Sequence, residues 1–179
     1  MCIRDRLGNG VENNLVKPPG LTLPIGAEAI DVATRDDGAC ALLVNGSVSC
    51  WGRDNSGQLG SGLVNGSQGS STQLSLSPNY TSPLPNGKKA TAITAGYDHT
   101  CVLLEDGNVA CWGSNNDGQL GLGNTSAAVS VPTLTLSLGA AATAIETDRK
   151  HTCALLVNGS VYCWGCLLYT SDAADDWSS

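Results

Sequence analysis

The chain has 179 residues, of which 41 % are hydrophobic and 14 % charged, with 22 glycines and no phenylalanine, a profile that suits many short strands joined by glycine-bearing turns. Its formal net charge is −7, and Lys88–Lys89 and Arg149–Lys150 are its only adjacent basic pairs, so no basic stripe exists and direct nucleic-acid binding is not expected. No apolar run reaches the roughly 20 residues of a membrane-spanning helix, so no insertion of that kind is expected either.

In chain order, "MCIRDR" (1–6) stands outside a repeat that begins at Leu7. Residues 7–52 match 120–165 at a constant offset of 113, with "LTLPIG" over "LTLSLG". A strand is predicted over 27–33, then a hairpin over 38–52, "GACALLVNGSVSCWG". Trp51-Gly52 closes the hairpin and Gly57-Gln58-Leu59-Gly60 follows it. The Ser/Gly-rich stretch 61–87 reads as a long surface loop. A strand over 90–96 leads to the second hairpin, 99–113, "HTCVLLEDGNVACWG", again with Trp112-Gly113 and then Gly118-Gln119-Leu120-Gly121. A shorter loop around Asn124–Ser130 and a strand over 129–138 precede the third hairpin, 151–165, which ends in Trp164-Gly165. After it the chain reads "CLLYTSDAADDWSS" (166–179), which breaks the repeat as residues 1–6 do. Both tails resemble translated sequencing adapters, so the expectation is that they are foreign, and that the natural protein continues in both directions. The period of roughly 50 residues indicates a propeller or solenoid, with about four short strands per repeat.

Each hairpin carries two cysteines ten positions apart: Cys40 and Cys50, Cys101 and Cys111, Cys153 and Cys163. A three-residue loop at Val44-Asn45-Gly46, with Gly in the left-handed position, pairs Leu43 with Ser47 and places Cys40 opposite Cys50. Counting outward makes the cysteines a non-hydrogen-bonded pair with Cα atoms roughly 4.5 Å apart, within reach of a disulfide. A two-residue Asn-Gly turn would set Cys40 against Trp51 instead. Disulfides persist in oxidising compartments, which points to an extracellular, periplasmic or cell-surface protein, with an intracellular one as the alternative. Five Asn-x-Ser/Thr sequons, at Asn45, Asn65, Asn79, Asn124 and Asn158, fit that placement. At Asn45 and Asn158 the turn alone already accounts for Asn-Gly-Ser.

His99 and His151, each two positions before a cysteine, do not make a common structural-zinc frame, and the first repeat has Gly38 in place of the histidine. "GSNNDGQL" (113–120) lacks the Lys-Ser/Thr of a phosphate loop, and Gly113 stands where a calcium loop needs its first carboxylate. Two histidines in repeat-equivalent positions leave no Ser-His-Asp triad. Trp51, Trp112 and Trp164 recur in register and read as packing residues rather than ligand platforms. No catalytic residue, metal site or cofactor is expected.

The string "ATAITAGYDHTCVLLEDGNVACWGSNNDGQLGLG" (90–123) resembles the regulator of chromosome condensation repeat, through Ala95-Gly96, His99, Leu103-Leu104, Asp106-Gly107, Val109, Trp112-Gly113, Asn115 and Gly118-Gln119-Leu120-Gly121. Residues 38–60 and 151–165 carry the pattern again in part, with Arg35 and Asp148 in place of Gly96. The resemblance implies an all-β fold, an incomplete β-propeller holding about three four-stranded blades of seven. The paired cysteines look more like the secreted or cell-surface members of the family than the nuclear ones. A non-enzymatic scaffold binding an unidentified protein partner through loops 61–87 and 124–130 is the function expected. The nuclear members' activity, guanine-nucleotide exchange on a small GTPase, is the alternative, and inhibition of a secreted enzyme a third.

Overall fold

The computed structural model describes residues 27–62, 81–125, 128–132 and 135–166. Among these residues, ten strands form three antiparallel sheets. The first holds β1 (Ala29–Arg35), β2 (Gly38–Leu43), β3 (Val48–Gly52) and β4 (Thr81–Ser82) in that order; the second holds β5 (Ala90–Ala95), β6 (His99–Leu104) and β7 (Val109–Gly113); the third holds β8 (Ala142–Thr147), β9 (His151–Leu156) and β10 (Val161–Gly165).

The hairpins follow the register that the cysteine spacing predicts. Leu43 N donates to Ser47 O (2.8 Å) across Val44-Asn45-Gly46, and Gly46 sits at φ +83°, a conformation that glycine adopts without the steric cost of a Cβ. Leu42 then faces Val48, Ala41 faces Ser49 and Cys40 faces Cys50. The other two hairpins repeat this, with Cys101 opposite Cys111 and Cys153 opposite Cys163. All three pairs are disulfides, with Cα atoms 4.0, 4.1 and 4.1 Å apart.

Strand alternation then sorts the side chains into two faces. Cys40, Leu42, Val48 and Cys50 of the first sheet meet Ile93, Val102, Leu104, Ala110 and Trp112 of the second in one buried cluster. Cys101, Leu103, Val109 and Cys111 on the second sheet's other face meet Ile145, Ala154 and Leu156 of the third. The sheets approach most closely at their first strands, where β1 packs on β5 and β5 on β8. Backbone bonds cross the same gaps: Ala90 N donates to Gly46 O (2.9 Å) and Ala142 N to Gly107 O (2.8 Å). These are consecutive blades of a β-propeller, and the three do not close a ring. At the ends of the stack apolar side chains face solvent: Ile30 and Val32 on β1, and Leu155, Val161 and Tyr162 on β9 and β10.

Three expectations need correction. Among the described residues, four strands per blade holds for the first sheet; the second and third show three. The stretch 61–87 is not loop throughout, because Thr81–Ser82 pairs with β3 and Pro85–Gly87 forms a 3-10 turn; residues 63–80 lie outside the described residues. The edge of β3 carries unpaired backbone groups, and the returning chain supplies them with partners. Of the strand expected over 129–138, in which residues 133–134 lie outside the described residues, two isolated bridges form, Val129 with Gly113 and Leu136 with Val109. Pro132 lies between them, has no N–H to donate and interrupts a continuous ladder.

Candidate functional site

The repeated motif residues converge on the seams between blades. After β3 the chain reads Asp54-Asn55-Ser56-Gly57-Gln58-Leu59-Gly60, and after β7 Asn115-Asn116-Asp117-Gly118-Gln119-Leu120-Gly121. The first side chain clasps each loop from within: Asp54 Oδ1 accepts Leu59 N–H (2.9 Å) and Asn115 Oδ1 accepts Leu120 N–H (3.2 Å). Each glutamine side chain closes a second ring, with Gln58 Oε1 accepting Ser56 N–H (2.8 Å) and Gln119 Oε1 accepting Asp117 N–H (2.9 Å). The glutamine backbone carbonyl is left facing the next blade.

That carbonyl is the docking point. Gln58 O accepts Trp112 Nε1–H (3.1 Å) and the Thr100 hydroxyl (2.9 Å); Gln119 O accepts Trp164 Nε1–H (2.9 Å) and the Thr152 hydroxyl (3.1 Å). Glycine is needed beside it, since a Cβ on Gly60 or Gly121 would lie 2.8 or 3.0 Å from the indole nitrogen. Trp112 and Trp164 are therefore seam residues. Trp112 is fully buried and Trp164 half-buried at the open end, while Trp51 packs against Ala39, Ala41 and Leu43 on the other face of the first sheet.

His99 extends the second seam, its Nε2 lying 3.0 Å from Thr152 Oγ1. The first repeat has Gly38 at that register, and Arg35 does the equivalent work. Its Nη1 donates to the Thr100 hydroxyl (2.7 Å) and to Gln58 O (3.4 Å), and its Nη2 lies 3.6 Å from Cys40 Sγ. Arg35 occupies the register of Gly96, where a Cβ would stand 2.2 Å from the His99 ring. In the first two repeats a bulky residue fills one of the two positions, Arg35 with Gly38 or His99 with Gly96, while the third, at the open end of the stack, carries both Asp148 and His151. His151, the third of the series, is half-buried at the open end.

Burial governs the electrostatics of the seam. It lowers the Arg35 guanidinium to about 10, against the opposing pull of Asp54, Asp98 and Asp37. Burial, reinforced by the positive Arg35 and by His151, lowers the His99 imidazole to about 4, so it is neutral at pH 7. Asp54 and Asp98 are pushed above the ordinary carboxylate value, again chiefly by burial. Among the described residues no group of three or more His, Cys, Asp and Glu is arranged to hold a metal ion.

One end of the stack is concave. The turns leaving β1, β5 and β8 line a pocket with Arg35, Asp36, Tyr97, Asp148 and Arg149. The Arg149 guanidinium sits 5.7 Å from the centre of the Tyr97 ring, and Arg53 pairs with Asp37 nearby (2.8 Å). The sequence shows Arg35 in place of Gly96 but not its role, nor this mouth or the threonines, because these depend on neighbours in another blade. Asp54 and Asn115 did carry a signal, a hydrogen-bonding side chain at one register of two repeats. Of the loops favoured for partner binding, residues 63–80 and 126–127 lie outside the described residues.

Comparison with known proteins gives a consistent result. The profile of the regulator of chromosome condensation (RCC1) repeat matches residues 45–103 and 106–155, and a second profile of the same repeat matches 90–119 and 149–166. The ultraviolet-B receptor UVR8 of Arabidopsis thaliana is 29 % identical over 160 residues, covering 89 % of this chain and 34 % of that one. Protein RCC2 of Homo sapiens is 30 % identical over 145 residues, covering 78 % and 26 %. Among solved structures, Prp20p from Saccharomyces cerevisiae superposes with a TM-score of 0.64 at 22 % identity, covering 77 % of this chain and 33 % of that one. Human WBSCR16 does so with a TM-score of 0.65 at 23 % identity, covering 76 % and 33 %. The chain thus spans about a third or less of the length of these relatives, and the structural likeness speaks for the fold.

Proposed function

The chain belongs to the regulator of chromosome condensation (RCC1) repeat family, and from that premise we propose that it is a non-enzymatic protein-binding scaffold placed outside the cytoplasm, whether extracellular, periplasmic or on the cell surface. The observation that carries the scaffold reading is the use made of the repeated polar residues. Trp112, Trp164, Thr100, Thr152, Arg35 and His99 are directed at a neighbouring blade or its docking carbonyl. Residues bonded in this way hold a shape. Prp20p is described with binding properties toward Gsp1p and histones, which makes a protein partner the natural class for a relative. The mouth with Tyr97 and Arg149, and the loops around it, offer both apolar and charged contact for one.

The placement rests on the three cystine-closed hairpins, since such bonds are rare where glutathione keeps thiols reduced. Free-thiol counting on the protein isolated without reductant is the test. Six protected cysteines, paired as Cys40–Cys50, Cys101–Cys111 and Cys153–Cys163 by peptide mapping, are expected. Six reactive ones would overturn the placement. The same preparation is expected to leave nucleotide release from a small GTPase unchanged, and acceleration of that release would replace the scaffold reading with exchange activity.

A further inference from the structure

The hairpin tips of the first and third blades carry more chemistry than their turns require. At the first tip Asn45 Oδ1 accepts the Ser47 N–H (2.9 Å), and at the third Asn158 Oδ1 accepts the Ser160 N–H (3.0 Å). The second tip builds the same turn from Glu105-Asp106-Gly107-Asn108. There Asp106 Oδ1 accepts the Asn108 N–H (3.2 Å), Leu104 N donates to Asn108 O (2.9 Å) and Gly107 adopts φ +77°. A carboxylate oxygen therefore suffices for the turn. The amide nitrogens of Asn45 and Asn158, and the hydroxyls of Ser47 and Ser160, are surplus to it.

Both asparagines are exposed, and their turns hold the Oδ1 while leaving Nδ2 available. The backbone beneath is pinned: Gly46 N–H donates to Leu43 O (2.8 Å) and Gly159 N–H to Leu156 O (2.9 Å). Those glycine nitrogens are thus engaged and held away from the ring closure onto the asparagine carbonyl that would otherwise deamidate an Asn-Gly pair. Position, exposure and the Asn-Gly-Ser sequence combine at one atom.

We infer that Asn45 and Asn158 are acceptor sites for an N-linked oligosaccharide, an inference that rests on the extracytoplasmic placement proposed above. The donor class is an oligosaccharide carried on a lipid pyrophosphate, used by a transferase of the secretory route. The asparagine Nδ2 forms a bond to the sugar C1, and the bond from C1 to the pyrophosphate oxygen breaks. The leaving lipid pyrophosphate takes that electron pair, and the amide gives up one proton. The glycans would project from the tip end of the propeller, opposite the mouth formed by the turns after β1, β5 and β8.

The test is secretion of the whole chain behind a leader from a eukaryotic cell line, with intact mass and peptide mass measured before and after an amidase that removes N-linked glycans. Loss of one glycan in Asn45→Asp and of another in Asn158→Asp is expected. Asp106 shows that aspartate sustains the turn, so these variants keep the fold, and Ser47→Ala should also lose the first glycan. Unmodified tips in material whose six hairpin cysteines are protected would overturn this inference and leave the placement intact. Unmodified tips together with six reactive cysteines would overturn both.

Discussion

His99 shows what a seam does to a single residue. Burial first, then the positive Arg35 and His151, hold its imidazole at about 4 in the folded chain, against about 6.5 when unfolded. Between those values the unfolded chain binds the extra proton, so this residue's contribution to stability is complete above pH 6.5 and is lost as the pH falls toward 4. Asp54 and Asp98, whose carboxyls are raised by burial, act in the opposite sense, so the difference between the parent and His99→Gln isolates the histidine. Denaturant unfolding at pH 7 and pH 4 should show that difference changing by up to about 3 kcal/mol; an unchanged difference would mean that the ring is accessible to protons in the fold. The sequence already made His99 a poor ligand candidate, since Gly38 replaces it in the first repeat. It could not show that Arg35 takes over its bond. The exchange works through the space above Gly96, which exists only once two strands are paired.

The hairpin was the most legible element, because counting outward from the turn glycine leaves one register in which the cysteines meet. The fourth strands were legible in part. Thr81–Ser82 is two residues long and carries no alternation by which a strand is recognised, whereas 129–138 alternates and reads as a strand, of which bridges at Val129 and Leu136 are seen on either side of Pro132. Disulfide removal tests how much each clasp contributes. All three close loops of the same length, each worth about 2–3 kcal/mol in the chain-entropy account. Cys153→Ser with Cys163→Ser should cost about that much, since those side chains are half-buried and exposed. Cys101→Ser with Cys111→Ser should cost a further ~1–3 kcal/mol, because it leaves hydroxyls in a core where the cysteines are 0 and 3 % exposed. Urea midpoints of the two double variants decide the matter, and equal losses would reduce the contribution of each bridge to loop closure.

For the whole molecule, the repeat period revealed a propeller, and the three described blades form an open stack. The partner was not legible, because the motif residues that recur are turned toward other blades. Openness has a measurable effect. Leu155 and Val161, paired across β9 and β10, stand 42 and 64 % exposed where their counterparts in the second blade are buried, an outward apolar face of the kind that drives association. Sedimentation velocity should find concentration-dependent self-association of the 179-residue chain, weakened in Leu155→Lys with Val161→Lys; a monomer at every concentration would show that this face is inert. The seams also have a direction. The first and second blades offer a glutamine carbonyl, and the second and third present an indole and a hydroxyl to it, so a unit with both halves, as the second blade has, can follow another of its kind. Whole cassettes could then be duplicated or deleted in evolution without redesigning a joint, and the number of units in a circle would be set by their wedge angle alone.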